Sequence, residues 1–327
     1  MAVAEFPVTT TTATPPRVDL GAAVYLALMV LIGSTTATAA KFAVRDLPTA
    51  YLPLVRFGVA GLCLLPVALG MGSGAFLRMM RGDTRRLLAA AALCVPINQA
   101  LFLNGARLTS TTHIALIYAA CPLVVLILAC VLGQERLSRA RLQGVLASVF
   151  GVVLIGLNSL WSRGMTTPAS GPNPPLGDLL EVGAVVTWGA YLTVCKPLVA
   201  RHGALPALAG TFLVGAALHL PIAVLSLPSW PTFASAPPSA WWGLAFLTLV
   251  VSVLGLSCQN QALRRLDASQ VAAVGNLAPL LTVVWGILLF GEEVTPALAL
   301  GGALTLGGVV WAGRPPRRAD VEVETVP

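Results

Sequence analysis

The sequence predicts an all-α integral membrane protein whose ten transmembrane helices form two inverted five-helix repeats. Three observations support this prediction: an apolar composition, ten apolar stretches of near membrane-spanning length, and a segment that occurs twice. Of the 327 residues, 57% are hydrophobic and 10% are charged, and the mean hydropathy is +0.84. Soluble domains carry about 25% charged residues, so this composition excludes a water-soluble globule.

The apolar stretches define the predicted helices. A helix needs about 20 residues to cross a hydrocarbon core of about 30 Å. Most connections between the stretches are short, but residues 161–176 and 227–240 are rich in Pro and Ser and are predicted to be extramembrane loops. The ten predicted spans are 21–44, 50–70, 86–105, 111–132, 141–159, 177–196, 205–226, 240–262, 268–290 and 296–313.

A duplication divides the chain into two halves. A shift of 157 residues places Pro122 on Pro279 and Glu135 on Glu292, and 10 of the 35 positions in the window 122–156 are identical to their counterparts. Because each half has five spans, an odd number, the second half enters the membrane upside down relative to the first. Such inverted repeats can open a site on their shared axis alternately to either side, which favours a transporter.

The repeats and the flanking segments give a predicted domain organisation. Residues 21–159 form the first repeat and residues 177–313 form the second, with an extracytoplasmic linker at 160–176. The Thr- and Pro-rich residues 1–20 are predicted to be a disordered cytoplasmic tail, and the charged residues 314–327 a second cytoplasmic tail.

The distribution of Lys and Arg predicts that both termini face the cytoplasm. Cytoplasmic loops of membrane proteins carry an excess of these residues. With the N-terminus inside, fifteen of the 20 cations fall on the cytoplasmic side. The predicted location is therefore the cell membrane, with multiple passes. The five cations on the other side are Lys41, Arg45, Arg56, Arg107 and Arg163.

Several other functions are disfavoured by the sequence. The net charge of +7 is not accompanied by basic patches with interleaved aromatic residues, so no nucleic-acid partner is expected. The six cysteines lie in apolar segments without metal-ligand spacing, and neither a metal nor a cofactor is predicted. No Walker motif is present, which argues against ATP coupling within this chain.

The turn motifs and three further features resemble the drug/metabolite transporter superfamily, in its bacterial EamA-domain branch with ten helices. The motifs are Pro122 followed by the turn at Glu135, and Pro279 followed by the turn at Glu292. The other features are the Gly33–Lys41 and Gly189–Lys196 patterns in the first helix of each half, and Arg56 in LVRFGVAG. The resemblance implies a small-solute transporter, often an exporter of amino acids, metabolites or drugs.

Amides within the apolar stretches are candidates for substrate binding. Asn98 and Gln99 lie in the third predicted span, and Gln259 and Asn260 lie in the eighth. Polar side chains at mid-membrane depth are costly and frequently functional. Amides also tie helices together in lipid, so cavity lining and interhelical packing remain equally weighted alternatives.

The fourth and ninth spans each contain a proline that is predicted to kink the helix, Pro122 and Pro279. Tyr118 and Asn276 lie about one turn before these prolines and are predicted to line a binding wall beside each kink. Trp285 offers a stacking surface for a substrate, although tryptophan is also common in helix packing and at membrane interfaces.

Two titratable residues are candidates for proton coupling. Glu181 is an acid well inside an apolar stretch, and His219 lies near the outer end of the seventh span. The alternatives are an acid favoured by a helix N-terminus and a histidine that only packs. Glu135 and Glu292 fall in turns and are interpreted as a structural latch between helices.

Two glycine pairs, Gly144/Gly151 and Gly301/Gly308, have a seven-residue spacing that permits close helix approach, either within the chain or at a homodimer interface.

A secondary transporter is the preferred function, and a polytopic membrane enzyme acting on lipid-linked substrates is the alternative. An enzyme of that kind needs clustered catalytic groups at one membrane face. The three histidines, at positions 113, 202 and 219, are scattered among different segments.

Overall fold

The computed structural model describes residues 20–70, 73–131, 139–161, 171–263, 274–275 and 277–312, and these contain helices and no strand. The first repeat contains nine of the α-helices described here. They are α1 (Leu20–Ser34), α2 (Thr36–Asp46), α3 (Leu52–Gly70), α4 (Ser73–Gly82), α5 (Thr84–Ala92), α6 (Asn98–Leu108), α7 (Thr111–Tyr118), α8 (Cys121–Val131) and α9 (Arg139–Trp161).

The second repeat contains the other seven of the α-helices described here. A 3₁₀ turn at Leu227–Ser229 and the short helix α12 occupy the segment that was predicted to be an extramembrane loop. Its helices are α10 (Pro174–His202), α11 (Ala204–Leu225), α12 (Trp230–Ala234), α13 (Pro238–Ala245), α14 (Leu256–Leu263), α15 (Leu277–Phe290) and α16 (Pro296–Ala312).

The predicted fold class, a helical membrane protein, is confirmed. Within the described ranges, seven helical stretches are long and apolar enough to cross a membrane, and shorter apolar helices lie at 142–155, 277–290 and 296–311. These three occupy the fifth, ninth and tenth predicted spans. Many large apolar side chains remain exposed on the outer surface of the bundle, as expected for helices that face lipid.

Several spans are interrupted. The first breaks between α1 and α2, and the fourth breaks at Ala119 and Ala120, between α7 and α8. This interruption lies directly before Pro122, which was predicted to kink the helix and lies in the first turn of α8. A proline is tolerated there because first-turn N–H groups have no intrahelical partner.

The third span of each repeat contains a π-helical segment. Leu93–Ile97 joins α5 to α6, and Phe246–Gly255 joins α13 to α14. The 157-residue shift moves 93–97 onto 250–254, inside the second segment. Pro96 lacks the N–H that would continue the α-helical ladder, which accounts for the first segment. Single π-helical turns are frequently found at functional sites.

Helices α9 and α16 pack against each other through the repeated glycines. A Cβ atom on Gly151 would lie 2.5 Å from the carbonyl oxygen of Gly301, and one on Gly308 would lie 2.5 Å from that of Gly144. The two backbones approach so closely that only glycine fits. The glycine pairs thus belong to an interface within the chain, between the fifth helices of the two repeats.

The amphipathic helix α4 was missed in the sequence. It has ten residues, too few to cross a membrane, and it carries Arg78 and Arg81. Met79 on the same helix is fully buried. Helix α4 connects the second and third spans of the first repeat.

Candidate functional site

A buried arginine is the centre of a polar network between the repeats. Arg56 on α3 is only 4% exposed. Its Nε donates to Ser252 Oγ at 2.8 Å, and its Nη1 donates to Gln99 Oε1 at 3.2 Å. The ion pairs found within the described ranges do not include Arg56. A positive charge is therefore held in the protein interior by neutral acceptors.

The predicted amides Asn98 and Gln99 extend this network to α10. Gln99 Nε2 donates to Asn98 Oδ1 at 2.9 Å, and Asn98 Nδ2 donates to the carbonyl of Ala184 at 2.7 Å and to Thr187 Oγ1 at 3.1 Å. The chain of bonds thus runs through three residues of the first repeat and reaches the second repeat at both of its ends, at Ser252 and on α10. Both amides are buried.

The π-helical segments position the polar groups of this network. Asn98 directly follows the first segment, and Ser252 lies within the second. Ser252 Oγ accepts from Arg56 and donates to the carbonyl of Leu247, five residues earlier, at 3.0 Å. The five-residue separation of this donor and acceptor matches the wider turn of a π-helix. The two partners of Arg56, Gln99 and Ser252, thus lie just after the first π-helical segment and within the second.

Glu181 is a second buried charged group near this network. It is 0% exposed, and neither carboxylate oxygen has a hydrogen-bond partner in the part of the chain that is described. A Cβ on Gly105 would lie 2.5 Å from Glu181 Oε1, so the glycine makes room for the carboxylate. Glu181 is the eighth residue of α10, beyond the first turn where a helix N-terminus favours an acid.

Asp178, one turn earlier on α10, has several hydrogen-bond partners. Thr109 Oγ1 donates to Asp178 Oδ1 at 2.6 Å, and His113 Nδ1 lies 2.9 Å from Asp178 Oδ2. The two acids of α10 therefore differ in their hydrogen bonds. Asp178 bonds to residues outside α10, whereas the carboxylate of Glu181 has no hydrogen-bond partner among the described residues.

The remaining aromatic candidates lie at other helix contacts. Tyr118 packs edge-on against Phe102, with ring centroids 5.9 Å apart. Trp285 Nε1 donates to Ser34 Oγ at 3.1 Å, at the break between α1 and α2. Thr282 Oγ1 donates to the carbonyl of Ser34 at 2.8 Å. Trp285 thus joins α15 to the interrupted first span and is not part of the Arg56 network.

The amides of the second repeat do not join the Arg56 network through any hydrogen bond of the described residues. Gln259 and Asn260 are half-buried, and Asn260 Nδ2 donates to the carbonyl of Leu256 in its own helix at 3.0 Å. Pro279 is the third residue of α15. The candidates Asn276 and Glu135 lie outside the residues that the structure describes.

Glu292 connects the repeats at the start of α7. Its Oε1 and Oε2 accept from the backbone N–H groups of Thr111 and Thr112, each at 2.7 Å. Lys41 Nζ lies 3.7 Å from Glu292 Oε1. The carboxylate satisfies first-turn N–H groups of a helix in the other repeat, as a capping residue does.

This geometry can be compared with that of known proteins. The model of the EamA-like transporter family matches residues 20–157 and 175–314. The chain belongs to this family. As an EamA-like transporter, it is a multi-pass membrane protein that moves a small-molecule substrate. The alternative prediction, a membrane enzyme acting on lipid-linked substrates, is wrong.

Several curated relatives of this EamA-like transporter are also named as transporters. "Uncharacterized transporter YyaM" of Bacillus subtilis is 25% identical over 257 residues, 79% of this chain and 82% of that protein. The "Probable terminal-alkyne amino-acid exporter" of Streptantibioticus cattleyicolor is 28% identical over 277 residues, 82% of this chain and 88% of that protein. A solved crystal structure shares the fold, with a TM-score of 0.60, 21% identity and coverage of 89% of this chain and 96% of that one.

Two histidines of this EamA-like transporter link separate helices. His219 is buried, and its Nε2 lies 2.9 Å from the carbonyl of Ala50, next to α3. His202 Nε2, at the end of α10, lies 2.7 Å from Asp83 Oδ2, and Arg201 Nη1 donates to Asp83 Oδ1 at 2.9 Å. The bond to His202 lowers the pKa of the Asp83 carboxyl below its usual range. Asp83 thus joins the repeats at the predicted cytoplasmic face.

Proposed function

We propose that this protein is a secondary transporter that exports a small polar or amphipathic solute, such as an amino acid, a metabolite or a drug. It works by alternating access to a central cavity between two inverted repeats, 21–159 and 177–313. One observation carries the proposal: the buried hydrogen bonds of Arg56, Gln99 and Asn98 join the first repeat to the second at two places, Ser252 and the carbonyl of Ala184. A rocking motion of one repeat against the other would rearrange this network.

The substrate contacts are assigned to polar groups in and around this network. Asn98 and Gln99 belong to it, and Tyr118 lies nearby, at the break of the fourth span. Gln259, Asn260, Asn276 and Trp285 complete the proposed wall from the second repeat. A relative named as an exporter of a terminal-alkyne amino acid supports an amino-acid-like substrate.

Glu181 is proposed as the site of proton coupling, with His219 as a second candidate. An ionised carboxylate without hydrogen bonds in the protein interior is costly, and binding of a proton removes that cost. Glu181 could therefore take up a proton on one side of the membrane and release it on the other. We propose that the protein lies in the cell membrane with both termini in the cytoplasm.

Purified protein in liposomes tests the transport function. A panel of labelled amino acids and cationic drugs should enter or leave these vesicles faster than empty vesicles. Replacement of Asn98 or Tyr118 by Ala should reduce the rate while the amount of folded protein stays the same. A panel that gives no flux above that of empty vesicles contradicts the proposal.

A proton gradient tests the coupling. Glu181→Gln should keep exchange of solute across the membrane but lose the acceleration that a gradient gives. Glu293→Gln, which removes an exposed acid of the same type, is the matched control and should respond like the unmodified protein. If Glu181→Gln responds normally and His219→Gln does not, the coupling site is His219.

A further inference from the structure

Arg56 is a buried cation for which no carboxylate of the described residues supplies a counter-charge. Its side chain contacts a hydroxyl, an amide oxygen and the ring of Phe57, whose centroid lies 4.9 Å from Arg56 Cζ. A charged side chain inside the membrane region is costly unless it is paired or serves a function. Neutral acceptors and an aromatic face reduce this cost but leave the net charge in place.

The guanidinium group retains the capacity to bind an anion. Arginine has five N–H donors in a planar fork, and two parallel donors bind a carboxylate in a bidentate manner. The hydrogen bonds of Arg56 within the described ranges use Nε and Nη1, and none uses Nη2. Ser252 and Gln99 therefore bind donors on different sides of the guanidinium and fix its plane.

The position of Arg56 matches that of a central binding site. Gln99 lies near the middle of the span Thr84–Leu108, and Ser252 lies near the middle of the span Pro238–Ala262. The two residues come from different repeats. Arg56 is the fifth residue of its own span, Leu52–Gly70, and its side chain reaches both partners. An anion bound to Arg56 would therefore lie inside the membrane region, between the parts that move in the proposed transport cycle.

We infer that Arg56 binds the carboxylate of the transported solute, so that the substrates are small carboxylic acids, including zwitterionic amino acids. This inference rests on the proposed function and narrows its substrate class. A carboxylate carries one negative charge and neutralises one guanidinium. A phosphate monoester carries −1.5 to −2 at neutral pH and would leave excess negative charge in the protein interior.

The unmodified protein gives the first test. In detergent, its thermal unfolding is followed with each of the proteinogenic L-amino acids and with a set of mono- and dicarboxylic acids. Every compound that stabilises the protein is compared with its amide and its decarboxylated analogue. Acids should stabilise the protein, and the uncharged analogues should need at least about tenfold higher concentrations, because hydrogen bonds to charged groups contribute about 1.5–3 kcal/mol. The inference is overturned if no acid stabilises the protein, or if the amides act equally well.

Variants give the second test. Arg56→Gln should abolish the preference for acids over amides, and Arg56→Lys should keep part of it because the charge remains. The matched control is Arg45→Gln, which removes an exposed arginine at the end of α2 and should leave the preference unchanged. If Arg56→Gln keeps the preference, Arg56 is only a packing residue.

A third variant covers the case in which Arg56→Gln does not fold. Ser252→Ala removes one hydrogen bond from Arg56 but retains the guanidinium. It should bind acids more weakly than the unmodified protein while still preferring them over amides. If Ser252→Ala weakens the binding of acids and of amides by the same factor, Arg56 and Ser252 have only a structural role and the inference is overturned.

Transport assays separate this inference from the proposed function. One outcome is that the unmodified protein and Arg56→Lys transport a cationic drug at equal rates and that neither transports acids. This outcome would support the transport function and refute carboxylate recognition by Arg56. A complete lack of flux for acids and drugs alike would instead refute the proposed function.

Discussion

At the scale of single residues, Glu292 shows how a charged group of one repeat stabilises the other. Its two oxygens accept from consecutive backbone N–H groups at the start of α7, and Lys41 balances its charge. First-turn N–H groups of a helix need partners from outside the helix, and the two bonds supply them. The recurrence of this glutamate in both repeats predicted a latch between helices. Its partners lie 180 and 181 positions away in the chain, so the pattern could not identify them.

Replacement of Glu292 by Ala should lower the thermal stability of the protein. The change leaves two buried N–H groups without partners and removes the counter-charge of Lys41, which predicts a loss of about 1–3 kcal/mol. Thermal unfolding followed by size-exclusion chromatography measures the effect. Glu293→Ala, at the exposed neighbouring position, is the control and should unfold at the temperature of the unmodified protein. Equal unfolding temperatures for both variants would contradict the latch.

The lowered pKa of Asp83 predicts a pH-dependent contribution to stability. A carboxyl whose pKa is lowered in the folded protein stabilises it above its unfolded pKa, about 3.9, and the stabilisation is lost as the pH falls through the folded value. Asp83→Asn should therefore unfold at a lower temperature than the unmodified protein at pH 7. The difference should become smaller as the pH falls below about 3.9, for example from pH 7 to pH 3. A difference of the same size at both values would rule out the carboxylate as its source.

At the scale of helices, two neighbouring glycines of α16 differ in their contacts with α9: Gly308 lies at the interface and Gly307 does not. A Cβ on Gly308 would lie 2.5 Å from the carbonyl oxygen of Gly144, whereas one on Gly307 would meet no atom within 4 Å. The spacing of the repeated glycines predicted a close helix contact. It did not distinguish a partner within the chain from a second copy, because both offer the same kind of surface.

Gly308→Val should destabilise the protein, and Gly307→Val should not. The added side chain at position 308 must push the two helix backbones apart, and overpacking of this kind costs about 1–3 kcal/mol. The yield of folded protein and its unfolding temperature in detergent give the comparison. The neighbouring variant controls for the change in helix propensity, so equal losses in both would contradict the close contact.

The long helices could be predicted from the sequence, but their irregularities could not. The span 50–70 was predicted within two residues of α3, because a span is set by the length of an apolar run. The π-helical segment Phe246–Gly255 could not be predicted from hydropathy. A π-helix bonds each N–H to the carbonyl five residues earlier instead of four, and this change does not alter which residues are apolar. Helix α4 was missed because ten residues are too few to meet that length criterion.

At the scale of the whole molecule, orientation in the membrane follows from charge and from the number of spans. Five spans in each half and fifteen cations on one side predict that both termini lie in the cytoplasm. Fusion of a reporter that is active on only one side of the membrane, placed in turn at each terminus, should give the same cytoplasmic result. Opposite results would mean an odd number of spans and would remove the inverted relation between the repeats.

The centre of the candidate site was predicted only in part. Asn98 and Gln99 were selected because amides are rare within apolar runs, and the structure places both in the buried network. Arg56 was used only as a sign of resemblance, although its charge in the run LPLVRFGVAG was the stronger signal. The helices that Asn98 and Gln99 contact depend on tertiary packing. They could not be predicted from the spacing of residues along the chain.

The two halves are unequal at their shared centre, because Arg56 has no arginine counterpart in the second helix of the second repeat, Ala204–Leu225. The first repeat therefore carries a buried guanidinium for which the second helix of the second repeat has no equivalent. If Arg56 binds the carboxylate, the acidic end of the solute faces the first repeat and its opposite end faces the second. The transporter would then distinguish the two ends of its solute, and a reversed orientation would be disfavoured throughout the cycle.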